Sequence, residues 1–437
     1  MIREITGYDG VLTCELPQGE YALEVSKGSE YSVEEGMLTI RAGEESAAAY
    51  RLERLIDLPQ EGFYGGDLHH HSVYSSPVWG GTDPVTETPE EVCLSMQAMG
   101  LAFGALSDHH NVLNHDVWRG CTENGFIPIV SKEISTSNGH VLALGVEDDV
   151  IYRIPEPKDR TDAYLRGEFI RVTDEIKRKG GVAQLNHPRD LSRSISWNPA
   201  YEDIIDIFDT MEIWNGSHLM KEGTTNAAAA ELWLRLLEEG RYIPATTGSD
   251  THNIRANDYH ALVDRMTALS AQLTKADAAS DRRIACFAAI CTDELALMEK
   301  WAETNLTSGG VRTYVYVPEK ANAEQILGAL CRGNSFLTDG PILIPRIGGA
   351  LPGMTSAGGE VEIKLISNRP LGEVCLYTDG GRRTKKKLEA VERKRGGDDY
   401  SFIWKDAPVK DAQWAFFTAA DDCTQLAISN PIFLKRE

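Results

Sequence analysis

The chain changes rhythm twice along its length. Residues 1 to about 62 carry short alternating runs, Tyr21-Ala22-Leu23-Glu24-Val25 and Met37-Leu38-Thr39-Ile40-Arg41, separated by glycine-containing turns. Successive side chains on a strand point to opposite faces, so this alternation predicts antiparallel strands. From about residue 341 the same rhythm returns in Val361-Glu362-Ile363-Lys364-Leu365-Ile366 and in Glu373-Val374-Cys375-Leu376-Tyr377, which runs into the turn Asp379-Gly380-Gly381. The two ends are expected to pack together as one sandwich-like accessory domain. The basic stretch Arg382-Arg383-Thr384-Lys385-Lys386-Lys387 then reads as the solvated face of a hairpin.

Between them, residues 63–340 alternate short apolar runs with helical segments. Thr88-Pro89-Glu90-Glu91 has a capping hydroxyl, proline in the first helical position and acids in the first turn, so a helix is predicted from there to Met99, stopped by Gly100. Further helices are predicted over 168–179 and 227–239, each stopped by glycine. Alternation of this kind predicts an α/β class with a parallel sheet or barrel. The expected division is 1–62, 63–340 and 341–437. The stretch 253–310 exceeds a simple return connection and contains a helix-like segment from Cys291 to Trp301, either a lid, a substrate-selecting insert or a dimer contact.

Polar residues fall in one place relative to the apolar runs. Gly65-Gly66 leads into Asp67-Leu68-His69-His70-His71-Ser72, and Phe103-Gly104-Ala105-Leu106-Ser107 runs into Asp108-His109-His110-Asn111. The run 127–132 ends at Glu133, the run 182–186 at His187-Pro188, and the run 243–249 at Asp250-Thr251-His252. In barrels of parallel strands, functional groups gather at the C-terminal strand ends, where these side chains would converge. His140 is the exception, since it precedes its apolar run. Residues i and i+2 of a strand share a face, so His69 with His71, and Asp250 with His252, can each serve one ion. Imidazole and carboxylate without thiolate suit zinc, manganese or iron, and a carboxylate such as Glu133 can bridge two ions around a shared hydroxide.

Composition narrows the substrate. The formal charge of −22 repels polyanions, which makes nucleic acid an unfavourable partner and a small molecule a better one. No apolar run reaches bilayer length and the N-terminus lacks a signal-peptide pattern, so no membrane partner is expected. The eight cysteines have no CxxC spacing and read as reduced thiols of a cytoplasmic protein.

The ordered series Asp-Leu-His-x-His-Ser at 67–72, Ser-Asp-His-His-Asn at 107–111, Lys-Glu at 132–133, Gly-His at 139–140, Asn-His-Pro at 186–188 and Gly-Ser-Asp-Thr-His-Asn at 248–253 resembles the PHP (polymerase and histidinol phosphatase) superfamily. The run Gly333-Asn334-Ser335-Phe336-Leu337-Thr338-Asp339-Gly340-Pro341 resembles its CehA- and McbA-related branch. The resemblance spans about residues 63–341. It implies a distorted seven-stranded β/α barrel with two or three divalent metal ions at its mouth. It also implies hydrolysis of a small phosphate ester, mono- or diester, through a metal-bridging hydroxide.

Carried over by position, it places His69, His71, Glu133 and Asp250 on a first metal. Glu133, His140 and His187 would hold a second, and His109 with His252 a third. The family's Ser-Asp-Gly after the HxH is replaced here by Ser75-Ser76-Pro77. Asp83 either supplies the lost carboxylate or is a solvated loop acid. Asp108 is expected to orient groups beside the metals. Arg189 either grips a phosphate oxygen or pairs with Asp190. Glu212 and Asn215 either shape the pocket or are structural. Alternative readings are a carboxyl or carbamate ester hydrolase, and a carbohydrate-binding protein with a non-catalytic barrel. A homo-oligomer is compatible with all three.

Overall fold

The computed structural model describes residues 4–81, 83, 85–190, 195–216, 220, 224–254, 308–388, 398–405, 407–421 and 426–435. The predicted helix at 291–301 and nearly all of the 253–310 stretch lie outside the described residues. At the N-terminal end, β1 (Gly19–Val25) and β2 (Glu34–Ile40) pair antiparallel as a two-stranded sheet.

The middle then runs β3 (Phe63–Asp67), α1 (Pro89–Ala98), β4 (Phe103–Leu106), α2 (His115–Gly120), β5 (Ile127–Val130), β6 (Glu133–Thr136), β7 (Gly139–Leu144) and α3 (Asp162–Arg178). It continues through β8 (Val182–Asn186), β9 (Thr210–Asn215), α4 (Thr225–Glu238), β10 (Ala245–Gly248), β11 (Arg312–Tyr316), α5 (Ala323–Arg332) and β12 (Ser335–Thr338). Helix α1 starts where its sequence dictates: the Thr88 side chain accepts from the Glu91 N–H while Glu91 accepts from the Thr88 N–H, satisfying two otherwise unpaired donors. Helix α3 starts six residues before its predicted start, because Thr161 caps it and its first turn and a half face solvent. Its buried stripe of Phe169, Val172, Thr173 and Ile176 has the 3–4 spacing of one helix face. Helix α4 buries Ala229, Leu232, Trp233, Leu236 and Leu237 in the same way.

Strands β3, β4 and β5 are parallel, as are β8, β9 and β10. The expected single seven-stranded barrel is not what the pairing shows. β6 to β10 form one five-stranded sheet, while β3 to β5 belong to a larger sheet with β11 and β12. The two sheets meet through isolated bridges, His70 with Thr251 and His109 with Glu133. Nor is the first of them all parallel, since β7 runs antiparallel to both β6 and β8. Phe169, Trp197, Leu185, Ile213, Trp233 and Leu236 fill the core between the five-stranded sheet and α3 and α4. A second core beneath β3, β4 and α5 includes Leu68, Phe103, Val315 and Leu330. Each such large side chain contributes about 1.5–3 kcal/mol by leaving water, which fixes the strand ends on which the site is built.

The C-terminal strands are β13 (Ile342–Ile347), β14 (Thr355–Ser356), β15 (Val361–Ser367), β16 (Leu371–Thr378), β17 (Arg382–Lys387), β18 (Asp398–Ile403), β19 (Trp414–Asp421), β20 (Leu426–Ser429) and β21 (Ile432–Leu434). β13, β15 and β18 form one layer. Its Leu343, Ile363 and Leu365 share a core with Val374, Leu376 and Phe417 of the other layer, a sandwich-like arrangement. β16 and β17 make the expected hairpin. β20 pairs with β12, so the larger sheet is continuous from the C-terminal strands to β3, β4 and β5. The N-terminal hairpin joins none of these sheets; its neighbouring loop is held by Asn368, which donates to the Tyr31 carbonyl at 3.1 Å. Among the described residues no helix is long and apolar enough to cross a membrane.

Candidate metal centre

β3 ends at Asp67, whose buried carboxylate accepts from the backbone N–H groups of Ser249 at 2.9 Å and Gly309 at 2.8 Å. This pins the strand end against the segment carrying Asp250. His69 and His71 then face one side, while His70 faces the other. His70 donates through Nδ1 to the His71 carbonyl at 2.9 Å and meets Ser308 Oγ at 2.8 Å. Burial pushes its pKa down to about 4, so it is a neutral structural group.

The hydrogen bonds fix which ring nitrogen of His71 and His69 carries a proton. Ser75 Oγ has one proton, which it donates to the Asp108 carboxylate at 2.7 Å. It therefore accepts from His71 Nδ1 at 2.9 Å, and the His71 Nε2 lone pair points the other way. His69 Nδ1 faces the Glu212 carboxylate at 3.0 Å, leaving its Nε2 turned the same way. His69 Nε2 and His71 Nε2 lie 3.2 Å apart, and Asp250 Oδ1 lies 3.2 and 3.1 Å from them. Glu133 Oε1 is 3.4 Å from His69 Nε2. Atoms bound to one ion at about 2.0–2.1 Å stand ~3.0 Å apart in an octahedron and ~3.4 Å apart in a tetrahedron. Three donors, His69, His71 and Asp250, converge at the spacing a cation imposes, with Glu133 beside His69.

Glu133 also belongs to a second group. His140 Nδ1 lies 3.1 Å and His187 Nε2 3.4 Å from Glu133 Oε1. The antiparallel direction of β7 explains why His140 precedes its apolar run: the N-terminal end of that strand lies beside the C-terminal end of β8, with His140 opposite Asn186. Asn186 Nδ2 donates to Glu133 Oε1 at 2.8 Å and holds the carboxylate in place.

A third group forms around Asp83. His109 Nδ1 faces Glu133 Oε2 at 3.0 Å and Ser135 Oγ at 2.7 Å, and its Nε2 meets Asp83 Oδ2. His252 Nδ1 donates to the Asp250 carbonyl at 2.9 Å, so its Nε2 lone pair faces the same Asp83 oxygen at 3.1 Å. Asp83 is thus placed where it could supply the carboxylate missing after the HxH: its side chain is 24% exposed and meets both imidazoles. Asp83→Ala is expected to lower the metal content of the purified chain by about one ion while the rest remains, since affinity follows ligand count. Unchanged content by elemental analysis would place Asp83 outside the ligand set.

All eight expected ligands therefore meet in one cluster, buried except for the partly exposed His140, Asp250 and His252. Two other candidates sit differently. Asp108 accepts from Ser72 N, Ser72 Oγ and Ser75 Oγ, each at 2.7 Å, and from Asn114 Nδ2. Those four bonds saturate it, and through Ser75 it is linked to His71, the arrangement expected of a carboxylate that orients groups beside the cluster. Arg189 pairs with Glu202 at 2.7 Å, and not with Asp190. Glu212 takes a larger part than its strand position signals, because it orients His69 and accepts from the His187 backbone N–H at 2.9 Å. Asn215 donates to Asp250 Oδ2 at 2.9 Å. Gly248 admits this packing: a Cβ there would lie 2.2 Å from His69 Cβ and 2.4 Å from Glu212 Oε1.

Three of the four non-glycine residues with positive φ among those described lie here: His110 at 61°, His187 at 24° and Asp250 at 52°. Such conformations are costly for these residue types and persist where surrounding bonds enforce them. The Asp250 N–H donates to the His69 carbonyl at 2.8 Å, which holds that turn.

Charge in the cluster is coupled. Burial alone disfavours a charged His69, yet Asp250, Glu133 and Glu212 outweigh it and raise its pKa well above the usual value. Burial would raise Glu133 and Asp250, but the facing imidazoles hold both well below the carboxylate range. In the metal-free chain the His69 contribution to stability is full below about pH 6.5 and lost as pH rises through its raised value. The carboxylate contribution is present above about pH 4 and lost as pH falls through their depressed values. A divalent ion competes with the His69 proton, so the rise in Tm on adding manganese or zinc should be larger at about pH 8.5 than at about pH 6. A rise of equal or smaller size at the higher pH, read by differential scanning calorimetry, would contradict proton–metal competition at this cluster.

No protein-family model matches the chain, and no curated protein matches it. Among solved structures it is similar to a two-domain protein from Bacteroides vulgatus ATCC 8482 described as containing a PHP-like metal-dependent phosphoesterase. That likeness has 14% identity over 85% of this chain and 94% of the other, with a TM-score of 0.42. A protein from Bifidobacterium adolescentis ATCC 15703 described as a metal-dependent phosphoesterase shares 16% identity over 43% of this chain and 87% of its own, with a TM-score of 0.31. An amidohydrolase from Chromobacterium violaceum, solved with sulfate, shares 18% over 43% and 87%, with a TM-score of 0.28. At such depth the chemistry rests on this chain's own side chains.

Proposed function

We propose that the chain is a metal-dependent phosphoesterase of the PHP kind, its two sheets acting as a distorted barrel, that hydrolyses a small phosphorylated metabolite, mono- or diester. The observation that supports this reading is Glu133, whose Oε1 lies within 3.4 Å of His69, His140 and His187 together. A shared carboxylate suits a pair of ions. Divalent ions held there would activate water and neutralise charge on the phosphoryl oxygens. The chain's own part is to fix the donors: Glu212 and Ser75 set the tautomers of His69 and His71, Asn186 holds Glu133 and Asn215 holds Asp250. The test is a screen of manganese- and zinc-loaded protein against phosphomonoesters, phosphodiesters and carboxyl esters. Turnover of no phosphate ester with either metal would overturn the reading.

A carboxyl or carbamate ester remains the second reading, because the Arg189 charge is already met by Glu202 and a neutral ester needs no further cation. The two readings separate at that residue. Glu202 also binds Arg235, so it can tether Arg189 while the guanidinium grips an anionic oxygen. Arg189→Ala is expected to lower kcat/KM for a phosphate ester by ~10²-fold, the scale of one oriented charge stabiliser, and to affect a carboxyl ester far less. Equal losses for both classes would mark a structural role for Arg189.

A further inference from the structure

One histidine beside the cluster is left over by the donor groups. His110 follows His109 in the chain, yet it belongs to none of those groups and is exposed where His109 is buried. The rings of the other described histidines each meet a partner, from the Glu212 carboxylate on His69 to the Ser131 carbonyl on His115. Among the described residues the His110 ring has no hydrogen-bond or ion-pair partner. It lies close to the cluster all the same, its centroid 5.8 Å from that of the His109 ring.

The backbone puts it there. Consecutive side chains of an extended strand point to opposite faces, whereas His110 turns into the left-handed region at φ 61°. Its N–H donates to the Glu133 carbonyl at 3.0 Å. Asn111 braces the turn from the other side: its Nδ2 donates to the carbonyls of His109 and Tyr74, each at 2.9 Å, and its Oδ1 accepts from the Leu113 N–H at 3.1 Å. The imidazole is thus carried on a rigid turn, next to the strand end of Glu133 and to the His109 ring that faces Asp83. Glycine would adopt this conformation freely and asparagine readily, so the turn by itself does not call for an imidazole. Strained residues of this kind gather where a side chain is needed at a functional site.

What an imidazole adds there is a directional N–H donor beside the ligands and outside their set. A phosphoryl group seated at the cluster keeps terminal oxygens turned toward solvent, where the chain as a whole is strongly acidic. We propose that His110 contacts the substrate, donating its imidazole N–H to a terminal oxygen of the phosphoryl group bound at the cluster. The proposal rests on the phosphoesterase reading above and adds one substrate contact to it. A neutral imidazole suffices for this, since the oxygen carries the charge of the bond.

The test compares the manganese-loaded full chain with His110→Gly and His110→Asn. Glycine satisfies the left-handed turn and removes the donor, whereas asparagine satisfies it and keeps an N–H. Metal content by elemental analysis should be the same in all three. Inorganic phosphate, titrated by calorimetry, should bind His110→Gly ~10-fold more weakly than wild type, the scale of one hydrogen bond to a charged group, and His110→Asn should recover part of the loss. For p-nitrophenyl phosphate or its diester, whichever the wild type turns over, kcat/KM should fall ~10²-fold in the glycine variant. Unchanged phosphate affinity and kcat/KM in His110→Gly would overturn the proposal while leaving the phosphoesterase reading in place. A drop in metal content would overturn it by making His110 a ligand, and equal losses in both variants with a lowered Tm would reduce it to a structural residue. Wild-type protein that neither binds phosphate nor cleaves a phosphate ester would instead remove the phosphoesterase reading, and this contact with it.

Discussion

Glu133→Gln is expected to strip most of the bound metal and abolish turnover while leaving a cooperative melt. The substitution keeps the volume of a side chain that is 1% exposed, and the amide oxygen can still accept from Asn186, so the core is not hollowed. What is lost is the negative charge that His69, His140 and His109 all face. Because one carboxylate serves two groups of ligands, metal content should fall by about two ions per chain and kcat/KM by ~10³-fold or more. Elemental analysis and a calorimetric melt on the same sample provide the check. A variant that keeps its metal would show that Glu133 does not bridge.

His69→Ala and Asp250→Ala should fail more narrowly. Each removes one donor of the first group and leaves Glu133, His140 and His187 intact. About one ion should be lost and the remainder retained, with turnover again reduced by ~10³-fold or more, since activation requires the pair. The contrast with Glu133→Gln is the informative part, because a general loss of folding would remove every ion from all three variants alike. Near-normal turnover by both alanine variants with every class of ester would mean that the reaction takes place elsewhere.

Most of this cluster was legible because strands present donors at regular intervals. His69 with His71, and Glu133, His187 and Asp250 at the ends of apolar runs, are where a period of two and strand-end convergence place them. His140 obeys the same geometry, but only once the direction of β7 is known, and a sequence shows the apolar run without its direction. Asp83 had no such signal. It lies in a loop with no periodicity, and only the approach of His109 and His252 distinguishes it from a solvated acid. Glu212 was visible as part of a strand, but its bond to His69 spans 143 residues, and that separation is set by sheet order alone. Arg189 gave a false neighbour for a related reason: Asp190 adjoins it in sequence, whereas Glu202 reaches it from the following helical segment. At the level of architecture, alternating runs announced the strands at both ends. Nothing in them announced that β20 would extend the sheet of β12, or that β1 and β2 would keep to themselves.

Asn430, near the C-terminal end, holds β10 by its backbone: its Oδ1 accepts from the Ala245 N–H at 2.8 Å, and its Nδ2 donates to the Ala245 carbonyl at 2.9 Å and to Ser335 Oγ at 2.9 Å. β10 is the strand that leads to Asp250. During synthesis, the first seven ligands and His252 leave the ribosome long before the residue that clamps their strand. Chains translated only past His252 would carry a loosely held, metal-hungry set of side chains, and the centre would take its final form only once Asn430 has emerged.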